Sequence, residues 1–265
     1  MYKKIIWNAI LGISIISAIV FSASIIISAK ITNGSNIENQ ETKDENNEPK
    51  ESKSILSENS DSYNILVLGD SLAKGTGDET GLGFGKNVAN SLGTKTNKKI
   101  EVSNIAVNGD VSAGLLTIIN EQETLKAIEV SDLICISIGG NEVKAFQSNK
   151  NLSSSTDVKT TQNNYLNNLK EIVNVITNKN KNCRIVVIGL YNPFGEEIKP
   201  GNLEILHDWN YKTEQLLSSY FNIVFVPTYD LFKYNLDKYL AQDNFHPNSG
   251  GYKAIANRIL EVLKY

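Results

Sequence analysis

Asn64-Ile65-Leu66-Val67-Leu68-Gly69-Asp70-Ser71-Leu72-Ala73-Lys74-Gly75 is the stretch from which the rest of the chain can be read. Four consecutive large apolar residues closed by a glycine have the pattern of a short strand buried on both faces, as in a parallel sheet. The turn that follows presents Ser71 at the carboxyl end of that strand, where open parallel sheets bind their ligands. Gly, Asp and Ser all favour turns, so Gly69-Asp70-Ser71 also has a purely structural reading. The remaining sequence has to choose between the two.

Downstream of Tyr63 the same pattern recurs: short apolar strand, loop with Gly or Asn, amphipathic helix. Strands are expected at Asn64 to Leu68, Ile100 to Ile105, Leu133 to Ile138, Arg184 to Leu190 and Ile223 to Val226. Helices are expected near Phe84 to Leu92, Leu115 to Ile128, Thr160 to Asn178, Leu203 to Tyr220 and Ser249 to Leu263. Strands alternating with helices imply βαβ units and a parallel sheet covered on both faces, an α/β fold in which residues 63–265 share a single core.

Upstream of Tyr63 the composition is different. Lys3 and Lys4 precede Ile5 to Ala29, a run without charge, and Lys30 follows it. A bilayer needs about 20 mostly apolar residues, so the run is long enough to span one. The basic pair places residues 1–4 in the cytoplasm and the remainder outside, a single-pass protein of the cell membrane. A cleavable signal peptide ending at Ser28-Ala29 competes, giving a secreted product. The retained anchor is preferred because signal cores run only about 7 to 15 residues. No cysteine stands near the end of the run, which excludes thioether lipidation there. Residues 30–62 are rich in Asn, Glu, Lys and Ser and too poor in apolar side chains to offset ordering entropy, so they read as a disordered polar linker. The net charge of −3 carries no basic signature of a nucleic-acid partner. Cys135 and Cys183 fall in or beside strand patterns and read as small buried hydrophobes, although the compartment permits a disulfide.

Three further turns end or follow strands: Asn104-Ile105-Ala106-Val107-Asn108-Gly109-Asp110, Ser137-Ile138-Gly139-Gly140-Asn141-Glu142 and Asp243-Asn244-Phe245-His246-Pro247-Asn248. Together with Gly69-Asp70-Ser71-Leu72 they form an ordered set. It resembles the SGNH, or GDSL-type, ester hydrolases, in which Ser, Gly, Asn and His from four blocks build one site. The resemblance runs through residues 63–265. It implies a three-layer α/β/α sandwich around a mostly five-stranded parallel sheet, flavodoxin-like in layout, and a serine esterase or lipase that needs no cofactor.

The residues support the same assignment chemically. Ser71 is a weak nucleophile until a base takes its proton, and the chain has two histidines, His207 and His246. His246 lies three residues after Asp243, so one tight turn lets the carboxylate fix the imidazole tautomer. Pro247 is expected to open the last helix and stiffen that turn. His207, beside Asp208 in a helical stretch, reads as a surface or packing residue, since adjacent helical residues do not face each other. The catalytic set is therefore Ser71, Asp243 and His246. Attack on an ester carbonyl develops charge on its oxygen, which preorganised donors must meet. The resemblance carries that oxyanion role onto the Ser71 and Gly109 backbone N–H groups and the Asn141 carboxamide. Glu142 stands where many relatives have Asp and is not read as catalytic, while Asp70 and Asp110 read as loop braces or N-caps. No His, Cys and carboxylate cluster has metal-ligand spacing.

The loop from Tyr191-Asn192-Pro193-Phe194-Gly195 through Pro200-Gly201, with Phe84, Phe146 and Phe245, is a candidate wall for an acyl pocket. The expected substrate is a small-molecule or lipid ester such as a lysophospholipid. An O-acetyl esterase or acyltransferase acting on cell-wall glycan and a non-catalytic binding module of the same fold are the alternatives. The sequence is silent on oligomeric state.

Overall fold

A computed structural model of the chain describes residues 61–96, 98–148 and 155–264, and the side chains of 146–148 and 155 lie outside that description. The expected anchor at 5–29 and nearly all of the linker also lie outside it. Among the described residues no helix is long and apolar enough to cross a membrane.

Five strands form one parallel sheet: β1 (Ser62–Gly69), β2 (Lys99–Asn104), β3 (Leu133–Ser137), β4 (Arg184–Ile188) and β5 (Ile223–Val226), in the order β2-β1-β3-β4-β5. The apolar run in β1 is divided between two cores by the period-2 alternation of a strand. Leu66 and Leu68 join Ile134, Ile136, Ile185 and Val187 on one face. Ile65 and Val67 join Cys135, Val186, Ile188 and Val226 on the other. The first face is covered by α3 (Ser112–Ile119), α4 (Gln122–Glu129), α6 (Ser155–Lys179) and α7 (Pro200–Leu217), with Trp209 and Ile172 fully buried. The second is covered by α2 (Gly83–Gly93) and α10 (Ser249–Leu263), where Phe84 meets Tyr252. The result is the expected three-layer α/β/α sandwich.

The strand order reverses around β1, which makes the gap between the carboxyl ends of β1 and β3 the topological switch point. The register pairs Gly69 with Ser137, so the Ser71 turn and the Gly139-Gly140-Asn141 turn leave the sheet side by side. Gly69 is required there: its φ is +126°, and a Cβ would lie 1.8 Å from the Ser137 carbonyl oxygen. Two short helices start at these turns, α1 (Ser71–Lys74) and α5 (Gly140–Ser148).

Several expectations need correction. The single helix expected over Leu115 to Ile128 is two helices, because the Asn120 carboxamide donates to the Leu116 carbonyl at 2.8 Å and Glu121 turns extended to start α4. Pro247 does not open the last helix. It bridges Leu240 in antiparallel fashion, and Asn248 is the N-cap of α10, accepting from the Gly251 N–H at 3.0 Å. Phe84 is core rather than pocket wall, since it lies on the buried face of α2. Cys135 and Cys183, in contrast, are as expected: both are buried and unpaired, and burial pushes the Cys135 thiol up to about 12.

Candidate active site

Ser71 is the first residue of α1. Its position is set from behind by Asp70, whose carboxylate caps the helix by accepting from the Leu72 N–H at 3.0 Å and also accepts from the Ser137 hydroxyl at 3.2 Å. The Asp70 N–H donates to the Ser137 carbonyl at 2.9 Å, clamping the turn to β3. Burial pushes the Asp70 carboxyl up to about 7; the Leu72 and Ser137 hydrogen bonds oppose the rise and nearby Glu142 adds to it. Asp70 therefore braces the loop, as expected.

The loop after α9 (Leu236–Tyr239) brings His246 to Ser71. His246 Nε2 lies 2.9 Å from Ser71 Oγ and Nδ1 lies 2.6 Å from Asp243 Oδ2. The other Asp243 oxygen accepts from the Phe245 and His246 N–H groups at 3.0 and 2.9 Å. Burial alone would raise the Asp243 carboxyl, but the hydrogen bonds from the His246 ring and from the His246 and Phe245 backbone hold it below the usual range. The imidazole is thus held on the tautomer that leaves Nε2 facing the serine oxygen. The turn is locked from outside as well: the Tyr191 hydroxyl donates to the Phe245 carbonyl at 2.6 Å, and the Ala241 N–H donates to the His246 carbonyl at 2.8 Å. His207 is exposed and meets the Tyr229 ring, far from this chemistry in its contacts.

The donor side is assembled from two turns. The Asn141 carboxamide donates one N–H to the Asp110 carbonyl at 2.7 Å, which orients the group and leaves its second N–H available. Gly109 lies in the exposed turn from Val107 to Asp110 with φ +78°, and a Cβ added there would meet nothing within 4 Å. The structure does not place Gly109 among the residues lining the cavity. Glu142 accepts from the Ser112 N–H at 2.6 Å and so ties α5 to the start of α3. That brace was not foreseen.

Ser71 and His246 line a cavity of about 70 Å³ with Asp70, Leu72, Asn141, Val143, Lys144, Leu190, Tyr191, Pro193, Phe194, Leu206 and Phe245. The loop after β4 and Phe245 thus supply the expected aromatic wall, while the Phe146 side chain lies outside the described residues. Lys144 and Val143 went unnoticed in the sequence because Gly139-Gly140 hid the helix that presents them. Among the described residues no three His, Cys, Asp or Glu side chains gather as a metal-holding group.

Comparison with known proteins agrees with this fold. YpmR of Bacillus subtilis (strain 168) is 30% identical over 206 residues, covering 76% of this chain and 81% of its own length. The spore germination lipase LipC of Bacillus licheniformis is 27% identical over 208 residues, covering 73% and 92%. Among solved structures, the lipase Lip_vut3 from a goat rumen metagenome superposes with a TM-score of 0.69 at 22% identity, over 75% of this chain and 96% of its own. The acetylxylan esterase Axe2 of Geobacillus stearothermophilus gives 0.60 at 19% identity, over 77% and 94%. At these identities the two structures speak to the fold alone. A family model described as the GDSL-like lipase/acylhydrolase family matches residues 67–254, well over half of the sequence, and the chain belongs to that family of esterases and lipases.

Proposed function

We propose that this chain is a serine esterase that hydrolyses a carboxylic ester through an acyl-enzyme. Ser71 Oγ attacks the carbonyl carbon while His246 Nε2 takes the hydroxyl proton, and Asp243 stabilises the imidazolium that forms. The Ser71 and Gly109 N–H groups and the Asn141 carboxamide meet the oxyanion. Collapse of the tetrahedral intermediate expels the alcohol, which takes the proton from His246. Water then repeats the sequence on the acyl-enzyme, releasing the acid and restoring the serine. The single observation that carries this reading is the continuous contact from Asp243 through His246 to Ser71 on the wall of a cavity.

The apolar lining suits an acyl group, and the small volume suits a short one. One water needs about 10 to 15 Å³ of such space, so the cavity takes a handful of non-hydrogen atoms before a chain must emerge. That size favours the second reading, an O-acetyl esterase or acyltransferase acting on cell-wall glycan, over a long-chain lipase. The uncharged run at 5–29 supports an anchored catalytic domain outside the membrane, where either substrate would be met. The test is a p-nitrophenyl ester series from acetate to palmitate with wild type and Ser71→Ala. Turnover that is lost in the variant, while its thermal melt is retained, is expected, with the optimum at short acyl chains. Equal turnover by the two proteins would refute the serine mechanism, and an optimum at palmitate would refute the short-acyl reading.

A further inference from the structure

We propose that Lys144 selects esters that carry a negative charge, a phosphate or a carboxylate, on the part of the substrate projecting from the cavity. The inference rests on the esterase reading and names its substrate class. Lys144 follows Asn141 by three residues on α5, one turn along the same helix face, and both line the cavity. Its ammonium lies 4.3 Å from the centroid of the Phe245 ring. Phe245 in turn meets the His246 ring edge-on, with centroids 5.0 Å apart. A cation held by a ring face is restricted in where it points, and this one stands a single aromatic ring away from the imidazole that faces Ser71.

The sign of the site changes between mouth and floor. Lys144 is exposed, and among the described residues it is the one ammonium or guanidinium that lines the cavity. Beneath Ser71 lies the buried carboxyl of Asp70, and close to it Glu142, 8% exposed, has one carboxylate oxygen without a hydrogen-bond partner among the described residues. A negative group entering acyl end first would be desolvated against the Asp70 carboxyl, with Glu142 behind it. The same group left outside meets the positive charge of Lys144. The small volume separates the two ends: a short acyl group fills it, and the alcohol portion stays at the mouth.

The test uses three butyryl esters: butyrylglycerol, butyrylglycerol 3-phosphate and 3-(butyryloxy)propanoate. Wild type is expected to prefer at least one anionic ester over the neutral one by about three- to tenfold in kcat/KM, mostly through KM, because an exposed ion pair is worth little more. Preference for the phosphate alone or the carboxylate alone identifies the source of the charge. Lys144→Gln should bring the ratio to within about twofold of unity, and Lys144→Glu should invert it. A wild-type ratio near one, or a Lys144→Gln loss equal for all three esters, would overturn the proposal. Calorimetric binding of the same esters to Ser71→Ala reads the preference without turnover. Anion preference in binding with no wild-type turnover would sink the esterase reading alone, and turnover with no preference would sink the Lys144 assignment alone.

Discussion

On one side of Ser71 the segment from Ala241 to Asn248 is held largely by its own neighbours. The Asp243 carboxylate accepts from two successive N–H groups, His246 and Ala241 pair through the backbone, and the Asn248 carboxamide donates to the Lys238 and Leu240 carbonyls at 2.9 and 3.0 Å. On the other side, the turn from Val107 to Asp110 is held by three separated parts of the chain. The Val107 N–H reaches the Gly69 carbonyl at 2.9 Å, the Thr76 hydroxyl reaches Asn108 at 2.8 Å, and Asn141 reaches the Asp110 carbonyl at 2.7 Å. The His246 side, the proposed base, is therefore a prebuilt unit, whereas the Gly109 and Asn141 side, the proposed oxyanion hole, is only as well placed as the segments that converge on it. Substitutions on the first should remove chemistry and leave structure. Those on the second should mix the two.

The largest effect belongs to the base side. His246→Ala should lower kcat on a short p-nitrophenyl ester by about 10⁴ or more with little change in the melting temperature, as loss of the base does where a triad acts as a unit. A loss below tenfold would mean that the short His246 to Ser71 contact is idle. Next comes Asn141→Ala, expected to cost about 10² to 10³ in kcat, the range for one oxyanion donor. Because the same side chain holds the Asp110 carbonyl, this variant should also melt lower than His246→Ala, and equal melting points would erase the contrast between the two sides. Gly109→Ala meets no steric obstacle, but its left-handed φ costs an ordinary residue about 1 to 2 kcal/mol. A loss of stability of that size should come with a kcat loss smaller than that of Asn141→Ala. Retained stability with lost turnover would show that the turn is rigid in its own right.

The effect that leaves the chemistry untouched concerns the floor shared by both sides. The Asp70 carboxyl titrates at about 7 in the folded chain and near 4 when unfolded, so the folded state holds that proton more tightly. Asp70 thus lowers stability progressively as pH rises from about 4 to about 7, with the full cost present above 7. Asn caps a helix about as well as Asp, so Asp70→Asn should raise the melting temperature at pH 8 and by less at pH 5. The exposed Asp243 carboxyl is shifted the other way, and its contribution is present above pH 4 and lost on acidification. A pH-independent effect of Asp70→Asn would remove the burial account of that group.

The sheet was legible because strands buried on both faces leave uninterrupted apolar runs, as in Ile65 to Leu68 and Leu133 to Ile136. The helices were harder where polar side chains act on the backbone. Asn120 divides a continuous periodic pattern, and Gly139-Gly140 reads as a breaker although α5 begins at Gly140. The contact from Asp243 through His246 to Ser71 could be read from spacing, since Asp243 and His246 share a turn and only two histidines compete. The cavity wall could not: Phe84 and Phe245 look alike in sequence, and only the packing of α2 on α10 buries the first while the short loop after α9 exposes the second to the site. The Glu142 brace on Ser112 joins positions thirty residues apart and leaves no local trace.

The central claim is that Ser71 is a nucleophile activated by His246, and fluorophosphonate labelling followed by peptide mass spectrometry tests it directly. One adduct is predicted, on the peptide containing Ser71, formed rapidly in wild type and far more slowly in His246→Ala. No adduct in folded wild type, or one on another residue, would contradict it.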